Sequence, residues 1–209
     1  MPTNHPAPVS ANVGEPAPLF ELPSIQGQTI SLADYRDKQN VILWFSRGFT
    51  CNFCRNHMSD MTRNYEAVQS INTEIIQVSP NLFNTAQQFF PPETPRFPFI
   101  CDPDKRLYAV YGLGDRGVLE ATKNTVISFT APFTQSVGAG VETIRASWVD
   151  TMNRNFLSRL QHHALTAMEQ GVFIIDRQGI VRYRQILAAL TEIPSADEIV
   201  DLTVKLCSW

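Results

Sequence analysis

Cys51 and Cys54, in Cys51-Asn-Phe-Cys54, have the types and spacing for thiol chemistry. Residues three apart in a helical turn share a face, with Cβ atoms about 5–6 Å apart. A modest adjustment from there reaches disulfide geometry. At a helix start, free backbone N–H groups and the positive end of the dipole stabilise a thiolate. Such a setting lowers a thiol pKa from about 8.5 into the range of about 3.5–7.5, which gives a nucleophile at neutral pH. Two blander readings compete: half of a zinc site, and plain core packing. Zinc needs two further ligands. Cys101, His57, His162 and His163 are available, but they form no second CxxC and no spaced Cys/His pair. No metal and no organic cofactor are expected.

Arg47 and Arg55 flank the pair and add positive field. Arg47 reads either as a ligand for a thiolate or peroxide or as an ordinary loop cation. Arg55 reads as a solvated helix residue. Thr50, immediately before Cys51, is a candidate substrate contact.

The surrounding pattern says what holds these residues. Asn40-Val-Ile-Leu-Trp-Phe45 is a continuous run of strand length, the mark of a strand buried on both faces. Phe53, Met58, Met61, Tyr65 and Val68 then recur at helical spacing. The cysteines therefore lie where a buried strand passes into a helix. Before them, Leu19–Leu22 and Thr29–Leu32 flank a Gln26-Gly27 turn, a short hairpin signal. After them, the pattern predicts a strand at Thr73–Ser79, a helix at Asn81–Phe90, a strand at Phe97–Cys101 and a helix at Asp104–Tyr111 with Gly112 as C-cap. Gly171–Asp176 and Ile180–Gln185 form a strand pair, and Ser195 caps a last helix after Pro194. Alternating elements closed by a hairpin point to an α/β fold with a mixed central sheet flanked by helices. Gln170, at the start of that hairpin, reads either as a turn or strand-entry residue or, since in such a fold that spot would face the cysteines, as a second candidate substrate contact.

Residues 1–13 read as a flexible leader, and residues 14–209 as one domain. Between about 114 and 169 the alternation breaks. Ile144, Trp148, Met152, Phe156 and Leu160 mark an amphipathic helix within a helical insertion. That stripe is expected to pack on the main domain or on a second subunit, so a homodimer is possible.

With 44% hydrophobic and 18% charged residues, the composition is that of a globular chain. The net charge of −3 gives no footing for nucleic acid or an acidic membrane surface. No run reaches the roughly 20 apolar residues of a membrane helix. The polar, proline-rich start lacks a basic region followed by an apolar one, so no secretory signal is expected. Four cysteines suit a reducing compartment, and a cytoplasmic location is expected.

The segment Phe45-Ser-Arg-Gly-Phe-Thr-Cys-Asn-Phe-Cys-Arg55 resembles the signature of the alkyl hydroperoxide reductase/thiol-specific antioxidant family, in its peroxiredoxin-like branch. Val13-Gly-Glu-Pro-Ala-Pro18, Phe99-Ile-Cys-Asp-Pro-Asp104 and Glu169-Gln-Gly-Val-Phe-Ile-Ile-Asp176 resemble other stretches of that family. The resemblance implies a thioredoxin-like fold and a thiol-dependent peroxidase that uses peroxide and an external thiol reductant of thioredoxin, glutaredoxin or glutathione type. Aligned on Phe45, Cys54 falls at the peroxide-reactive cysteine of peroxiredoxins, Cys51 at a hydrogen-bonding Thr and Arg47 at a loop Pro. Gln170 falls at or near an Arg. Cys54 is thereby implied as the attacking thiolate, with Cys51 resolving it. A thioredoxin-like disulfide reductase, with Cys51 attacking, and a non-catalytic redox-sensing or binding module are the rival readings.

Overall fold

The computed structural model describes residues 11–49, 51–90, 95–114, 168–187 and 193–207. The expected insertion with its Trp148 stripe, together with Thr50, His162 and His163, lies outside the described residues. Every residue of strand β3 (Asn40–Phe45) is buried, as its unbroken apolar run requires. β3 is the middle strand of a five-stranded sheet. On one side it pairs parallel with β4 (Thr73–Ser79), which pairs parallel with β5 (Phe99–Cys101). On the other it pairs antiparallel with β6 (Gln170–Ile175), which pairs antiparallel with β7 (Val181–Leu187). A separate hairpin of β1 (Glu21–Pro23) and β2 (Thr29–Ser31) leads into a short 3-10 helix, Leu32–Tyr35. The mixed sheet is the one expected.

Side-chain alternation along β3 divides the core into two layers. Val41, Leu43 and Phe45 face one layer, with Ile76, Val78, Phe173, Tyr108 and Tyr111. Tyr108 belongs to α4 (Arg106–Val110), and its ring meets Phe45 edge-on at 5.0 Å. Ile42 and Trp44 face the other layer, where α1 (Asn52–Arg63) and α5 (Ala196–Cys207) pack and both cysteines of the CxxC pair lie. No helix among the described residues is long and apolar enough to cross a membrane.

Several boundaries differ from the sequence pattern for local reasons. The single helix expected from Phe53 to Val68 is two, α1 and α2 (Tyr65–Ser70). Asn64 sits between them, and its side-chain amide bonds the Asp60 carbonyl, a competing local bond of the kind that interrupts helices. α3 is shorter than expected, Phe83–Phe89. α4 starts late because Asp102 stands just outside it and its carboxylate accepts from the backbone N–H groups of Arg106 (3.1 Å) and Leu107 (2.8 Å). At the start of α5 the expected Ser195 cap is present. Its hydroxyl accepts from Glu198 N–H while Glu198 accepts from Ser195 N–H, a reciprocal capping box. Ala11, inside the expected leader, is fully buried, and Gly14 N–H donates to the Val181 carbonyl.

The Tyr108 hydroxyl links this frame to the loop after β3, donating to the carbonyls of Ser46 and Val78. Tyr108→Phe leaves the buried Ser46 carbonyl short of its donor, while the Val78 carbonyl keeps Ser46 N–H, and this costs about 1–3 kcal/mol. Chemical denaturation should show a lower midpoint with an unchanged slope. An unchanged midpoint would mean the hydroxyl does not help hold the loop.

Candidate active site

The loop between β3 and α1 is fixed from several directions. Gly48 has φ +85, and a Cβ there would lie 2.5 Å from Asn81 Oδ1, so both backbone and space call for glycine. That same oxygen accepts from Phe49 N–H at 3.2 Å and from the Ser79 hydroxyl at 2.7 Å. Arg55 Nη1 donates to the Phe49 carbonyl at 3.1 Å. Arg55 is therefore not simply a solvated helix residue: it ties the loop to the first turn of α1. The Phe49 ring stacks on Phe89 with centroids 4.0 Å apart.

Cys51 is the N-cap of α1, and its sulfur accepts from the Cys54 backbone N–H at 3.3 Å. This is the role a Ser or Asp oxygen usually plays at a helix start. The two sulfurs are 2.7 Å apart, and both thiols are free. Cys54 Sγ accepts from Arg47 N–H at 3.3 Å, and Gln170 Oε1 is a second acceptor for its proton at 3.4 Å. Gln170 reaches the pair because it opens β6 beside the end of β3 and shares a face with Val172 and Trp44. Arg47 is 3% exposed. Its guanidinium charge lies beside both sulfurs, and these are its charge partners among the described residues.

Charge in this cluster is unequally shared. Burial pushes the Cys51 thiol up. The hydrogen bond from Cys54, the Arg47 charge, the Cys54 backbone N–H and the Arg47 hydrogen bond outweigh it, so its pKa falls to about 6. Cys54 is pushed well above its ordinary value by burial, then by the hydrogen bond and charge of Cys51, with Arg47 offsetting only part. Two thiolates in contact cannot both ionise. At neutral pH the pair carries one negative charge, resting on Cys51, with the Cys54 proton beside it. The resemblance implies the opposite order, with Cys54 as thiolate.

The AhpC/TSA family's sequence model matches residues 13–184, 172 of the 209 positions. The chain belongs to the AhpC/TSA family. A Mycobacterium tuberculosis protein named as a peroxiredoxin is 28% identical over 118 residues, 56% of this chain and 74% of that one. A Helicobacter pylori protein also named as a peroxiredoxin is 29% identical over 103 residues, 48% of this chain and 67% of that one. A reduced 2-Cys peroxiredoxin of Plasmodium vivax superposes with a TM-score of 0.57 at 15% identity, covering 92% of this chain and 94% of that one. That last likeness is one of fold.

In this AhpC/TSA chain Cys51, Cys54, Arg47 and Gln170 come together as the residue pattern suggested, while Thr50 is outside the described residues. Cys101 is half-buried in a neighbouring cluster with Phe49 and Phe99, and burial pushes its thiol up to about 11. Cys207 ends α5, and burial likewise pushes its thiol up to about 11. His57 is buried against the Trp44 ring at 4.5 Å. Burial, only partly offset by Asp60, lowers its pKa to about 4, so it is neutral at pH 7. Sequence reasoning passed over Gly48, Asn81 and Tyr108. Gly48 carried a usable signal, a glycine in a tight loop after a buried strand. Asn81 and Tyr108 act on residues about 30 to 60 positions away, and spacing does not reveal such contacts.

A thiolate is the deprotonated form, so Cys51 gains reactivity as pH rises through its pKa. Substoichiometric iodoacetamide at neutral pH should label Cys51 ahead of Cys54, with a rate that climbs through about pH 6 and then levels. Peptide mapping that finds Cys54 labelled first, or a midpoint near an ordinary thiol value, would contradict this charge placement.

Proposed function

We propose that this chain reduces peroxides at the Cys51–Cys54 pair and is recycled by an external thiol. Its general class is thiol-dependent peroxidase, consistent with its family and with the names its relatives carry. One arrangement carries the assignment to the pair: two thiols 2.7 Å apart with a buried Arg47 beside both, which together favour the thiolate on Cys51.

The Cys51 thiolate attacks one peroxide oxygen and the O–O bond breaks. The other oxygen leaves with the electron pair, takes a proton from solvent and departs as water or an alcohol. Cys51 is then a sulfenic acid. The Cys54 sulfur attacks the Cys51 sulfur. The sulfenic hydroxyl leaves with the Cys54 proton as water, and a disulfide remains. Two equivalents of external thiol reduce it by exchange. In this scheme Arg47 holds the negative charge in place, and the Gln170 carbonyl oxygen orients the Cys54 proton. Thr50 remains a proposed substrate contact.

A second reading has Cys54 attack. Its support is the alignment with peroxiredoxins and the Arg47 N–H at 3.3 Å from its sulfur. Protein-disulfide reduction is a third reading, since an N-cap thiolate suits that chemistry as well. An insulin reduction assay, run beside peroxide consumption, separates it from the first two.

One equivalent of peroxide should give a Cys51–Cys54 bridge on peptide mapping. Cys54→Ser keeps a hydroxyl donor to Cys51, so it should consume one peroxide at near the native rate and stop at a Cys51 sulfenic acid. Cys51→Ser should react about tenfold more slowly or worse, because the depressed-pKa thiolate is gone. A bridge to Cys101 or Cys207, or a Cys54→Ser protein inert to peroxide, would sink the scheme.

A further inference from the structure

Arg47 is a cation almost wholly removed from water, and no carboxylate pairs with it among the described residues. Its charge partners there are the sulfurs of Cys51 and Cys54. Its Nε is buried and has no hydrogen-bond partner among the described residues. In the reduced state the arrangement is balanced, with one guanidinium against one thiolate. Oxidation removes that balance. A disulfide is neutral, so Arg47 faces two uncharged sulfurs across from a positive helix N-terminus. Breaking a buried pair by removing one charge is strongly unfavourable, because the other is left uncompensated.

We infer that the oxidised site selects for reducing thiols that carry a carboxylate, which Arg47 receives in place of the lost thiolate. This rests on the disulfide cycle proposed above. Guanidinium presents a planar fork that matches a carboxylate, and Nε is one prong of that fork. The exchange balances without any other reactant. The reductant's thiolate sulfur attacks one sulfur of the bridge, and the S–S bond breaks. The departing protein sulfur keeps the electron pair as a thiolate beside Arg47. A second reductant thiolate attacks the mixed disulfide, releasing the oxidised reductant and restoring both protein sulfurs, one of which takes a proton from solvent. A carboxylate on the reductant compensates Arg47 before the new thiolate forms, so it acts in the slow step.

The test uses the full chain, oxidised with peroxide and mapped to confirm the Cys51–Cys54 bridge. Reduction is followed with 3-mercaptopropionate, 2-mercaptoethanol and cysteamine, which carry an anionic, a neutral and a cationic group. Rates are expressed per thiolate and divided by each thiol's rate with a small neutral disulfide, so both the thiolate fraction and the intrinsic nucleophilicity drop out. The anionic thiol should be fastest and the cationic slowest, about tenfold or more apart. Arg47→Gln should collapse that ratio and Arg47→Lys should keep most of it. The ratio also cancels any change that Arg47 variants cause in the leaving sulfur, because that change slows all three thiols alike. If Arg47→Gln does not fold, the native protein still decides: added propionate should slow 3-mercaptopropionate far more than cysteamine. Equal rates for the three thiols, a ratio unchanged in folded Arg47→Gln, or no selective effect of propionate would each overturn the inference. Failure to form the bridge would instead overturn the cycle it rests on.

Discussion

A buried guanidinium against a sulfur pair that holds one proton is the interaction on which the rest of the site depends. Without Arg47, Cys51 loses two of the four contributions that offset its burial, and only the Cys54 thiol and backbone N–H remain to hold its charge. Without the thiolate, Arg47 would be an uncompensated buried cation. Each therefore makes the other's burial tolerable. The two must also be held at fixed distance, since the attraction is strong only while water stays out.

That fixed distance comes from the fold rather than from the cysteines. β3 is locked between two strands, so its last residue is a rigid anchor. The loop beyond it is pinned by Tyr108 at Ser46, by Asn81 at Phe49 and by Arg55 at the Phe49 carbonyl. These contacts come from α4, from the turn after β4 and from α1 itself. The loop lies at the carboxyl end of the parallel strands β3 and β4, so the N-terminus of α1 and the backbone N–H of Arg47 converge on the sulfurs. Gln170 approaches from β6 only because the closing hairpin runs antiparallel beside β3.

Much of this was legible in the residues. The run from Asn40 to Phe45 and the stretch Thr73–Ser79 gave strands with the bounds they have, because a strand buried on both faces has no other way to satisfy its backbone in an apolar layer. The CxxC pair at a strand-to-helix junction was visible from spacing alone, as was the Ser195 cap. What spacing could not show was whether Arg47 lies in water or in the core. A single arginine in a loop has no periodic signature, and its burial is decided by residues far along the chain. The break at Asn64 was hidden for another reason: the apolar stripe continues across it, while a local amide bond interrupts the backbone.

The charge placement follows from a side chain that a sequence comparison treats as a mere replacement. By resemblance, Cys51 stands where peroxiredoxins have a hydrogen-bonding Thr. A hydroxyl there can donate to the sulfur of residue 54 and does not ionise at neutral pH, so the negative charge has one place to go. A thiol at that position competes for the charge. Cys51 holds the N-cap and takes a backbone N–H, the Cys54 thiol proton and the Arg47 guanidinium at once. Cys54 has the Arg47 backbone N–H and guanidinium but must sit next to a sulfur already charged. With three kinds of donor on one sulfur and a like charge facing the other, the proton stays on Cys54. By resemblance, the change from hydroxyl to thiol at residue 51 adds a second sulfur to the site and draws negative charge toward the start of α1.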